Sequence, residues 1–328
     1  MYNKIKDAIL KYDKIIIHRH SRPDGDALGS QLGLKYALKD NYPNKEVYAV
    51  GDISERLSFI GALDNITDDI YKGALVFVLD TPEEVMISDE RYKLGDFIIK
   101  IDHHLQRNSF GDLEIVDTTY ESCASLVSNI LFKLDLKISI DAAKALFTGI
   151  VTDSGRFRYD SVTPKTFQIA GKLLETNFKI TDIYNKLYEE DLKVVRLRSM
   201  FTLKFKLTKN NVAYIMTTKE ELKELDVDFF IVSRGMVNTM SGIKGIDIWV
   251  NFTEDEANNV VVAELRSSKY NINQIAVKYG GGGHLMASGA SLKDFDEARR
   301  MLEDLDRLIE VEQNVWIFRT KTTNFRKN

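Results

Sequence analysis

Cysteine and proline are scarce in this sequence. Its 328 residues include one cysteine and four prolines. The single cysteine, Cys123, excludes an internal disulfide framework and any all-cysteine zinc site. It lies in the apolar helical pattern ESCASLVSNILFKL, so we expect it to be a packed side chain rather than a nucleophile.

Long apolar runs and an excess of basic charge are missing as well. No run approaches the roughly 20 residues that a membrane helix needs, and the first residues, MYNKIKDAIL, lack the uncharged core of a signal peptide. We therefore expect a cytoplasmic protein without membrane contact. The formal net charge of −4 argues against a protein that coats long nucleic acid, but it does not exclude a small anionic substrate.

The first half of the chain alternates short apolar runs with helical periodicity. Strands are predicted at 14–18, 46–50, 74–80, 97–102 and 113–117. Helices are predicted from the spacing of Leu28, Leu32 and Tyr36, and over 121–134, 141–153 and 164–176. Short, continuous apolar strands of this kind are typical of a parallel sheet that is covered on both faces.

The pattern changes after about residue 185. A charged helical stretch is followed by predicted strands at 212–217, 246–252 and 260–266, which alternate with helical stretches near 230–240, 271–279 and 294–310. We therefore predict an α/β protein with an N-terminal parallel-sheet domain over 1–184, a linker helix over 185–203, and a smaller C-terminal α/β domain over 204–328.

Histidines and aspartates follow the ends of the predicted elements. Four of the five histidines lie at two strand ends, as His18, His20, His103 and His104. The aspartates that accompany them are Asp24, Asp26, Asp80, Asp102 and Asp153. Because the carboxyl ends of parallel strands meet at one edge of a sheet, we expect these side chains to lie close together.

Each of these pieces has an ordinary structural explanation when it is taken alone. The segment PDGD is typical of a turn, and Asp80 or Thr81 is suited to capping a helix. Together, however, they place four carboxylates and at least two imidazoles at one edge, where they would repel each other without a cation. Mixed Asp and His ligation suits Mn²⁺ better than Mg²⁺. Two such ions about 3.5–4 Å apart clamp a phosphoryl group for in-line attack.

The motifs HSRPDGDALGS, VLDT, DHH and VTDSGRF, in this order and spacing, resemble the signature motifs of the DHH phosphoesterase superfamily. The segments ELRSSKYNINQIA and YGGGGHLMASGA resemble the C-terminal DHHA1 domain of one branch of it. The chain is most similar to the stand-alone nanoRNases, bacterial oligoribonucleases that also remove the 3′-phosphate of pAp. The resemblance implies a Mn²⁺-dependent phosphodiesterase with its active site in the cleft between the two domains.

The resemblance also implies roles for single residues. His20 and Asp24 would hold one Mn²⁺, Asp26, His103 and Asp153 the other, and Asp80 would bridge the two ions. Asp102 would orient an imidazole, and His104 would contact the substrate phosphate by donating a hydrogen bond or a proton. His18 matches no ligand position, so a packing or supporting role is expected for it.

In the second domain, the resemblance implies a site for the nucleotide. The residues that would form it are Arg266, Ser267, Gly281, Gly282, Gly283 and His284. The glycines would let backbone N–H groups approach a phosphate or a base closely. A flexible linker is the alternative explanation of the glycine run.

Other functions remain open at this point. A RecJ-like exonuclease for long single-stranded DNA is expected to have a further oligonucleotide-binding domain, and a pyrophosphatase of the superfamily is expected to have a lysine- and arginine-based motif in place of GGGGH. Close relatives cleave pApA or cyclic dinucleotides. A non-enzymatic nucleotide-binding module would be expected to lack metal ligands, and none is missing here. The polarity of degradation, the preference among short RNA, short DNA, pAp and pApA, and the choice between monomer and homodimer stay open.

Overall fold

The computed structural model describes residues 2–52 and 55–324. The chain divides into two compact units at the bond between Glu189 and Glu190. Each unit has its own hydrophobic core. Residues 1, 53–54 and 325–328, which belong to the predicted domains, lie outside the described residues.

The first unit is built on a parallel sheet. Its strands are β1 (Lys14–Arg19), β2 (Glu46–Ala49), β3 (Ala74–Leu79), β4 (Phe97–Asp102) and β5 (Leu113–Val116). Their order is β2-β1-β3-β4-β5, and every neighbouring pair is parallel. The predicted parallel sheet is confirmed, with each strand within one residue of its predicted bounds.

Helices surround this sheet. They are α1 (Tyr2–Lys11), α2 (Gly25–Asn41), α3 (Cys123–Lys133), α4 (Ile140–Asp153), α5 (Pro164–Leu174) and α6 (Ile180–Tyr188). Short 3₁₀ helices lie at Glu55–Ile60, Asp68–Tyr71, Glu84–Met86 and Glu90–Leu94. Strand β3 is buried along its whole length, as its uninterrupted apolar sequence predicts.

Helices α2 and α4 approach each other closely. A Cβ atom on Gly29 would lie 2.6 Å from the carbonyl oxygen of Ala145 and 2.7 Å from the amide nitrogen of Gly149. Only glycine at position 29 allows the two backbones to come this near. The contact holds the first turn of α2, with Asp26, against the last turns of α4, which ends at Asp153.

The second unit contains a mixed sheet. Its strands are β6 (Lys206–Leu207), β7 (Ala213–Thr217), β8 (Ile248–Asp255), β9 (Val260–Ser267), β10 (Gly282–His284) and β11 (Ala287–Leu292). The order is β10-β11-β9-β8-β7-β6; β7 and β8 run parallel and the other neighbours antiparallel. The helices are α7 (Leu192–Lys204), α8 (Lys219–Leu225), α9 (Phe229–Ser233), α10 (Asn273–Lys278) and α11 (Phe295–Asn324), with a 3₁₀ helix at Val237–Met240.

Some elements differ from the sequence prediction. Where one linker helix is predicted over 185–203, α6 ends at Tyr188 and α7 begins at Leu192. The break has a local cause, because the Asp191 carboxylate caps α7 by accepting the Lys193 N–H at 2.6 Å. Strands β10 and β11 are not predicted from the sequence, since glycine, alanine and serine have little strand propensity.

Candidate metal centre

Strand ends and helix ends meet at one edge of the sheet in the first unit. His20, Asp80 and His103 directly follow β1, β3 and β4, and these three strands are neighbours. Asp26 lies in the first turn of α2, and Asp153 is the last residue of α4. Parallel topology thus brings together residues that are far apart in the sequence.

His20, Asp24 and Asp80 form one group of possible metal ligands. Nε2 of His20 lies 3.5 Å from Oδ2 of Asp80 and 3.9 Å from Oδ1 of Asp24. Nδ1 of His20 lies 2.8 Å from the carbonyl oxygen of Ser21. If Nδ1–H donates to this carbonyl, Nε2 keeps its lone pair directed at the carboxylates, which is what a ligating imidazole requires.

Asp26, His103 and Asp153 form a second group. Nε2 of His103 lies 3.7 Å from Oδ2 of Asp26 and 3.4 Å from Oδ2 of Asp153, while its Nδ1 lies 3.3 Å from the carbonyl oxygen of Tyr120. The buried Asp26 carboxylate accepts the backbone N–H of Cys123 at 2.6 Å and of Ala124 at 2.9 Å. The N-terminus of α3 therefore holds this carboxylate in place.

Asp80 connects the two groups. Its Oδ2 faces His20, and its Oδ1 lies 3.4 Å from Nε2 of His103. The residue is 1% exposed, and Oδ1 accepts no hydrogen bond from any residue that the structure describes. A buried carboxylate oxygen without a donor is costly. A cation at this point would satisfy it, so the position of Asp80 suits a ligand shared by two ions.

The carboxylates of the metal-free site resist ionisation to different degrees. Burial raises the pKa of Asp153 to about 6, with His103 opposing the shift and Asp80 and Asp24 adding to it. Burial, together with the charges of Asp80 and Asp153, also raises the pKa of Asp26. For Asp80 the contacts with His103 and His20 outweigh burial and lower the pKa. Of these three buried or partly buried carboxylates, that of Asp80 therefore ionises most readily.

The imidazoles respond to the same charges. Burial lowers the pKa of His20, but Asp80, the Ser21 carbonyl and Asp24 outweigh burial and raise it to about 9. The pKa of His103 is raised in the same way to about 10 by Asp80, Asp26 and Asp153. Without metal, protonated imidazoles thus balance the carboxylates, and a bound cation would take the place of these protons.

This donor set fits divalent cations. The two groups together offer four carboxylates and two imidazoles, those of Asp24, Asp26, Asp80, Asp153, His20 and His103. Two divalent ions would cancel the four negative charges, and a mixture of oxygen and nitrogen ligands suits Mn²⁺. The residues therefore fit the two Mn²⁺ ions that the resemblance implies.

The imidazole pKa values predict how the metal-free protein responds to pH. An unfolded histidine has a pKa of about 6.5, so the raised folded values of about 9 and 10 for His20 and His103 stabilise the fold fully below pH 6.5. This stabilisation is lost as the pH rises toward 9 and 10. We expect the melting temperature of the metal-free protein to fall between pH 7 and pH 9.

The matched control for this measurement is a His20→Gln variant, whose melting temperature should fall less over the same pH range. Mn²⁺ should also reduce the fall in the unsubstituted protein, since a ligating imidazole has no proton to lose. A melting temperature that is constant from pH 7 to pH 9 in chelator would contradict the proton balance described for the metal-free site.

His104 and Asp102 form a pair at the rim of the site. Oδ1 of the buried Asp102 lies 2.9 Å from Nδ1 of His104, and it accepts the His104 backbone N–H at 3.2 Å. The His104 side chain is 44% exposed, and its Nδ1 lies 3.5 Å from Oδ1 of Asp80. The imidazole that Asp102 contacts is therefore that of His104, and the other ring nitrogen, Nε2, lies on the far side of the ring from Asp102.

A buried ion pair supports the His20 loop from behind, and it was not predicted from the sequence. Arg19 is fully buried and donates to the carbonyl oxygen of His20 at 2.8 Å and to the Asp52 carboxylate at 2.6 Å. Asp52 also accepts the backbone N–H of Arg22 at 2.9 Å. The pair ties both sides of the loop to the sheet. An arginine inside the apolar run KIIIHRH was a usable signal, because a buried guanidinium requires a partner.

His18 precedes this support in β1. It is fully buried, and its Nε2 lies 3.1 Å from the hydroxyl of Tyr71. Burial lowers the pKa of His18 to about 3, so the imidazole is neutral. The structure places His18 in the packing between the sheet and the 3₁₀ helix Asp68–Tyr71, and outside all three groups of possible ligands among the described residues, the third being Asp80, His103 and His104.

A second support that was missed is the segment that leads into α3. Its backbone contacts His103 and Asp26, as the Tyr120 carbonyl and the Cys123 and Ala124 amides show. Glu121, only 5% exposed, anchors the segment by accepting the hydroxyl groups of Ser122, Ser125 and Thr166. Cys123 is buried, which confirms its predicted packing role.

The predicted nucleotide-binding residues lie at one edge of the second sheet. His284 of β10 pairs with Ala287 of β11, which in turn pairs with Arg266 of β9. Directly opposed residues project to the same face of a sheet, so Arg266 and His284 share a face and are roughly 10 Å apart. The hydroxyl of Ser267 donates to the carbonyl oxygen of Asp247 at 3.0 Å, which gives Ser267 a structural contact beside its predicted role.

The glycine run is ordered rather than a linker. Gly281 N–H donates to the Ala276 carbonyl at 2.9 Å, and Gly282 and Gly283 pair with Gly289 and Ser288 of β11. The Asn273 side-chain amide donates to the Gly283 carbonyl at 2.8 Å. The structure therefore excludes the flexible linker that the sequence left open.

Comparisons with known proteins agree with this architecture. Residues 14–150 match the DHH family, N-terminal domain, and residues 230–311 match the DHHA1 domain. A parallel sheet with clustered Asp and His side chains at its carboxyl edge, followed by a DHHA1 domain, defines the class: the chain belongs to the DHH family and is a phosphoesterase of that family.

Similar proteins match the chain over nearly its full length. The "Bifunctional oligoribonuclease and PAP phosphatase NrnA" of Bacillus subtilis (strain 168) is 40% identical over 94% of this chain and 98% of that protein. The "Probable bifunctional oligoribonuclease and PAP phosphatase NrnA" of Streptococcus mutans is 36% identical over 94% and 99%. The crystal structure of an exopolyphosphatase-related protein from Bacteroides fragilis superposes with a TM-score of 0.75 at 28% identity, covering 94% and 97% of the two chains.

None of the helices within the described ranges is both long enough and apolar enough to cross a membrane.

Proposed function

We propose that this chain hydrolyses short oligoribonucleotides to mononucleotides, removes the 3′-phosphate of pAp, and uses two Mn²⁺ ions. The observation that carries the proposal is the buried Asp80, whose two oxygens face the ligand groups of His20 and His103 at 3.5 and 3.4 Å. The substrate class is supported by the two NrnA proteins, which match more than nine-tenths of the chain.

In this proposal the first unit performs the chemistry. Two divalent ions bound here would neutralise charge on the phosphoryl oxygens and make a water molecule more acidic. The chain's own contribution is to hold the ligands rigid: the Tyr120 carbonyl orients His103, the Ser21 carbonyl orients His20, and the α3 amides hold Asp26. Preorganised ligands of this kind need little rearrangement during the reaction.

His104 would act on the substrate from the rim of the site. Its Nδ1 is held by Asp102 at 2.9 Å, which directs Nε2 away from the buried carboxylate. From there the imidazole can donate a hydrogen bond to a phosphoryl oxygen, or a proton to the leaving oxygen. In the second unit, Arg266 and His284 project from one face and would bind the nucleotide through charge-assisted hydrogen bonds.

The proposal is tested by turnover rates on a substrate panel with Mn²⁺. The panel contains pAp, pApA, a cyclic dinucleotide, RNAs of on the order of 2 to 5 nucleotides and a strand of about 24 nucleotides, as RNA and as DNA. A site that binds one chain end through few side chains gains little binding free energy from the rest of a long strand. We expect the shortest RNAs and pAp to be hydrolysed fastest, with mononucleotides as products.

Two outcomes of the panel would contradict the proposal. Equal rates on the long strand, or internal fragments among the products, would favour an exonuclease or endonuclease for long strands. A clear preference for the cyclic dinucleotide would favour a cyclic dinucleotide phosphodiesterase with the same metal centre.

The His284→Ala variant tests whether the second unit binds the nucleotide while the first unit performs the hydrolysis. Loss of one charge-assisted hydrogen bond, worth about 1.5–3 kcal/mol, should lower kcat/KM on a dinucleotide by roughly 10- to 150-fold. Bis(p-nitrophenyl) phosphate carries no nucleotide, so its hydrolysis should be unchanged. The two rates are compared in the same Mn²⁺ buffer.

A matched control is Val277→Ala, which truncates an exposed side chain on α10 and should leave both rates unchanged. If His284→Ala slowed both substrates equally, His284 would belong to the reaction centre or support the fold, and its proposed role in nucleotide binding would be wrong.

A further inference from the structure

The backbone that follows the ligand Asp153 adopts an unusual conformation. Gly155, Arg156 and Phe157 have φ angles of +56°, +66° and +61°, so three successive residues are left-handed. A positive φ is ordinary for glycine but a genuine outlier for an aromatic residue. Strain of this kind persists only where the surrounding structure enforces it, and it concentrates at functional sites.

Several contacts enforce the turn. The Arg156 N–H donates to the Val151 carbonyl at 2.8 Å, and the Phe157 N–H donates to the Ser154 hydroxyl at 2.9 Å. The Phe157 ring stacks on Phe167, with ring centres 5.3 Å apart and an interplanar angle of 21°. The packing of Phe157 therefore fixes the turn, and Arg156 and Arg158 on either side of it are exposed.

The turn folds Tyr159 back over Gly155. A Cβ atom at position 155 would lie 2.4 Å from the Tyr159 ring, so the ring rests directly on this glycine, two residues from Asp153. Tyr159 is nevertheless 59% exposed. An exposed ring that is fixed from behind is well suited to stacking on a planar ligand.

Two arginines lie on the same turn as Tyr159. Arg158 is exposed and is tied to the turn by one bond from Nε to the Gly155 carbonyl at 3.0 Å. Arg156, also exposed, has its guanidinium carbon 4.7 Å from the centre of the Tyr188 ring. An exposed ring with exposed arginines on the same turn offers chemistry for the two parts of a nucleotide, since bases stack on aromatic rings and phosphates pair with arginine.

We infer that Tyr159 is a stacking platform for a second nucleobase of the substrate, with Arg158 contacting the phosphate of the same nucleotide. The inference rests on the proposed function and deepens it. The nucleotide of pAp has one base, and the second unit is proposed to bind that nucleotide. A dinucleotide has a further base, and Tyr159 stacks on this second base. Tyr159 therefore determines the preference for oligonucleotides over pAp.

The test compares Tyr159→Ala with the unsubstituted enzyme on a dinucleotide and on pAp, both with Mn²⁺. Loss of one stacked base should lower kcat/KM on the dinucleotide by roughly 5- to 150-fold, while the rate on pAp stays unchanged. Tyr159→Phe retains the ring and should restore the dinucleotide rate. Because the side chain is exposed, the melting temperature of either variant should match that of the unsubstituted protein.

Dinucleotides that lack one base give an independent readout. Two such substrates are compared, each abasic at a different position. The one that lacks the base proposed to stack on Tyr159 should be hydrolysed equally well by the unsubstituted enzyme and by Tyr159→Ala, because the ring then has no base to contact. Equal losses on pAp and on the dinucleotide, or no loss on either, would overturn the inference. An unsubstituted enzyme that hydrolyses neither substrate would overturn the proposed function and the platform together.

Discussion

Replacing Asp80 by asparagine should abolish hydrolysis of every substrate. The carboxylate is 1% exposed and faces both ligand groups, so the variant removes the negative charge that the two proposed ions would share. Losing about 4 kcal/mol of transition-state stabilisation corresponds to a fall of roughly 10³-fold in kcat. The measurement is the rate on a dinucleotide and on bis(p-nitrophenyl) phosphate, together with Mn²⁺ binding by calorimetry.

Asparagine is the appropriate substitution here because Asp80 has a φ of +50°, and asparagine tolerates the left-handed region. The control is Asp64→Asn, which removes a carboxylate that accepts the Lys35 ammonium at 2.6 Å and the Ala49 N–H at 2.7 Å in the same unit. That variant should lose stability and keep its Mn²⁺ affinity. An Asp80→Asn enzyme with full activity and two bound ions would refute the bridging role.

Removing metal should inactivate the protein and also lower its melting temperature. The first unit holds mutually repelling carboxylates, and the pKa values of the buried Asp26 and the partly buried Asp153 are raised. An ion present at about 100 times its dissociation constant adds roughly 2.7 kcal/mol of stability. For a unit of this size that corresponds to a shift of roughly 5 to 10 °C. The measurement is thermal unfolding and hydrolysis in EDTA and in Mn²⁺.

Mg²⁺, Ca²⁺ and Zn²⁺ are the comparison ions for this experiment, because they separate a preference for Mn²⁺ from a general effect of divalent charge. Asp80→Asn provides the protein control, since its unfolding should respond less to Mn²⁺. Full activity in EDTA with unchanged unfolding would leave the proposed metal chemistry without support.

The first sheet and the grouping of its polar residues were predictable for one physical reason. The apolar runs that form β1, β3 and β4 are each long enough for one buried strand and end abruptly in Asp or His, as in ALVFVLD and FIIKIDHH. Once these strands are parallel neighbours, their ends coincide. The proximity of His20, Asp80 and His103 therefore follows from local pattern and topology, without knowledge of any long-range contact.

Other features depend on contacts that no local pattern contains. The Arg19–Asp52 pair joins residues 33 positions apart, and Glu121 reaches Thr166 across 45 positions. Strands β10 and β11 form despite weak propensity, because β9 offers β11 a partner. The left-handed turn at Arg156 and Phe157 is likewise set by the packing of Phe157 on Phe167, which sequence spacing does not reveal.

The close approach of α2 and α4 at Gly29 has a consequence for ion size. Asp26 and Asp153 sit at the ends of these two helices and belong to one group of possible metal ligands, so the separation of the helices affects the distance between their oxygens. Ca²⁺ takes oxygen ligands at about 2.3–2.6 Å and Mg²⁺ at about 2.0–2.1 Å, so a difference of a few tenths of an ångström decides between radii. A methyl group added at position 29 would force the helices apart and lengthen that distance. At the proposed metal site, the choice of ion can therefore be altered by a residue that is not among the possible ligands.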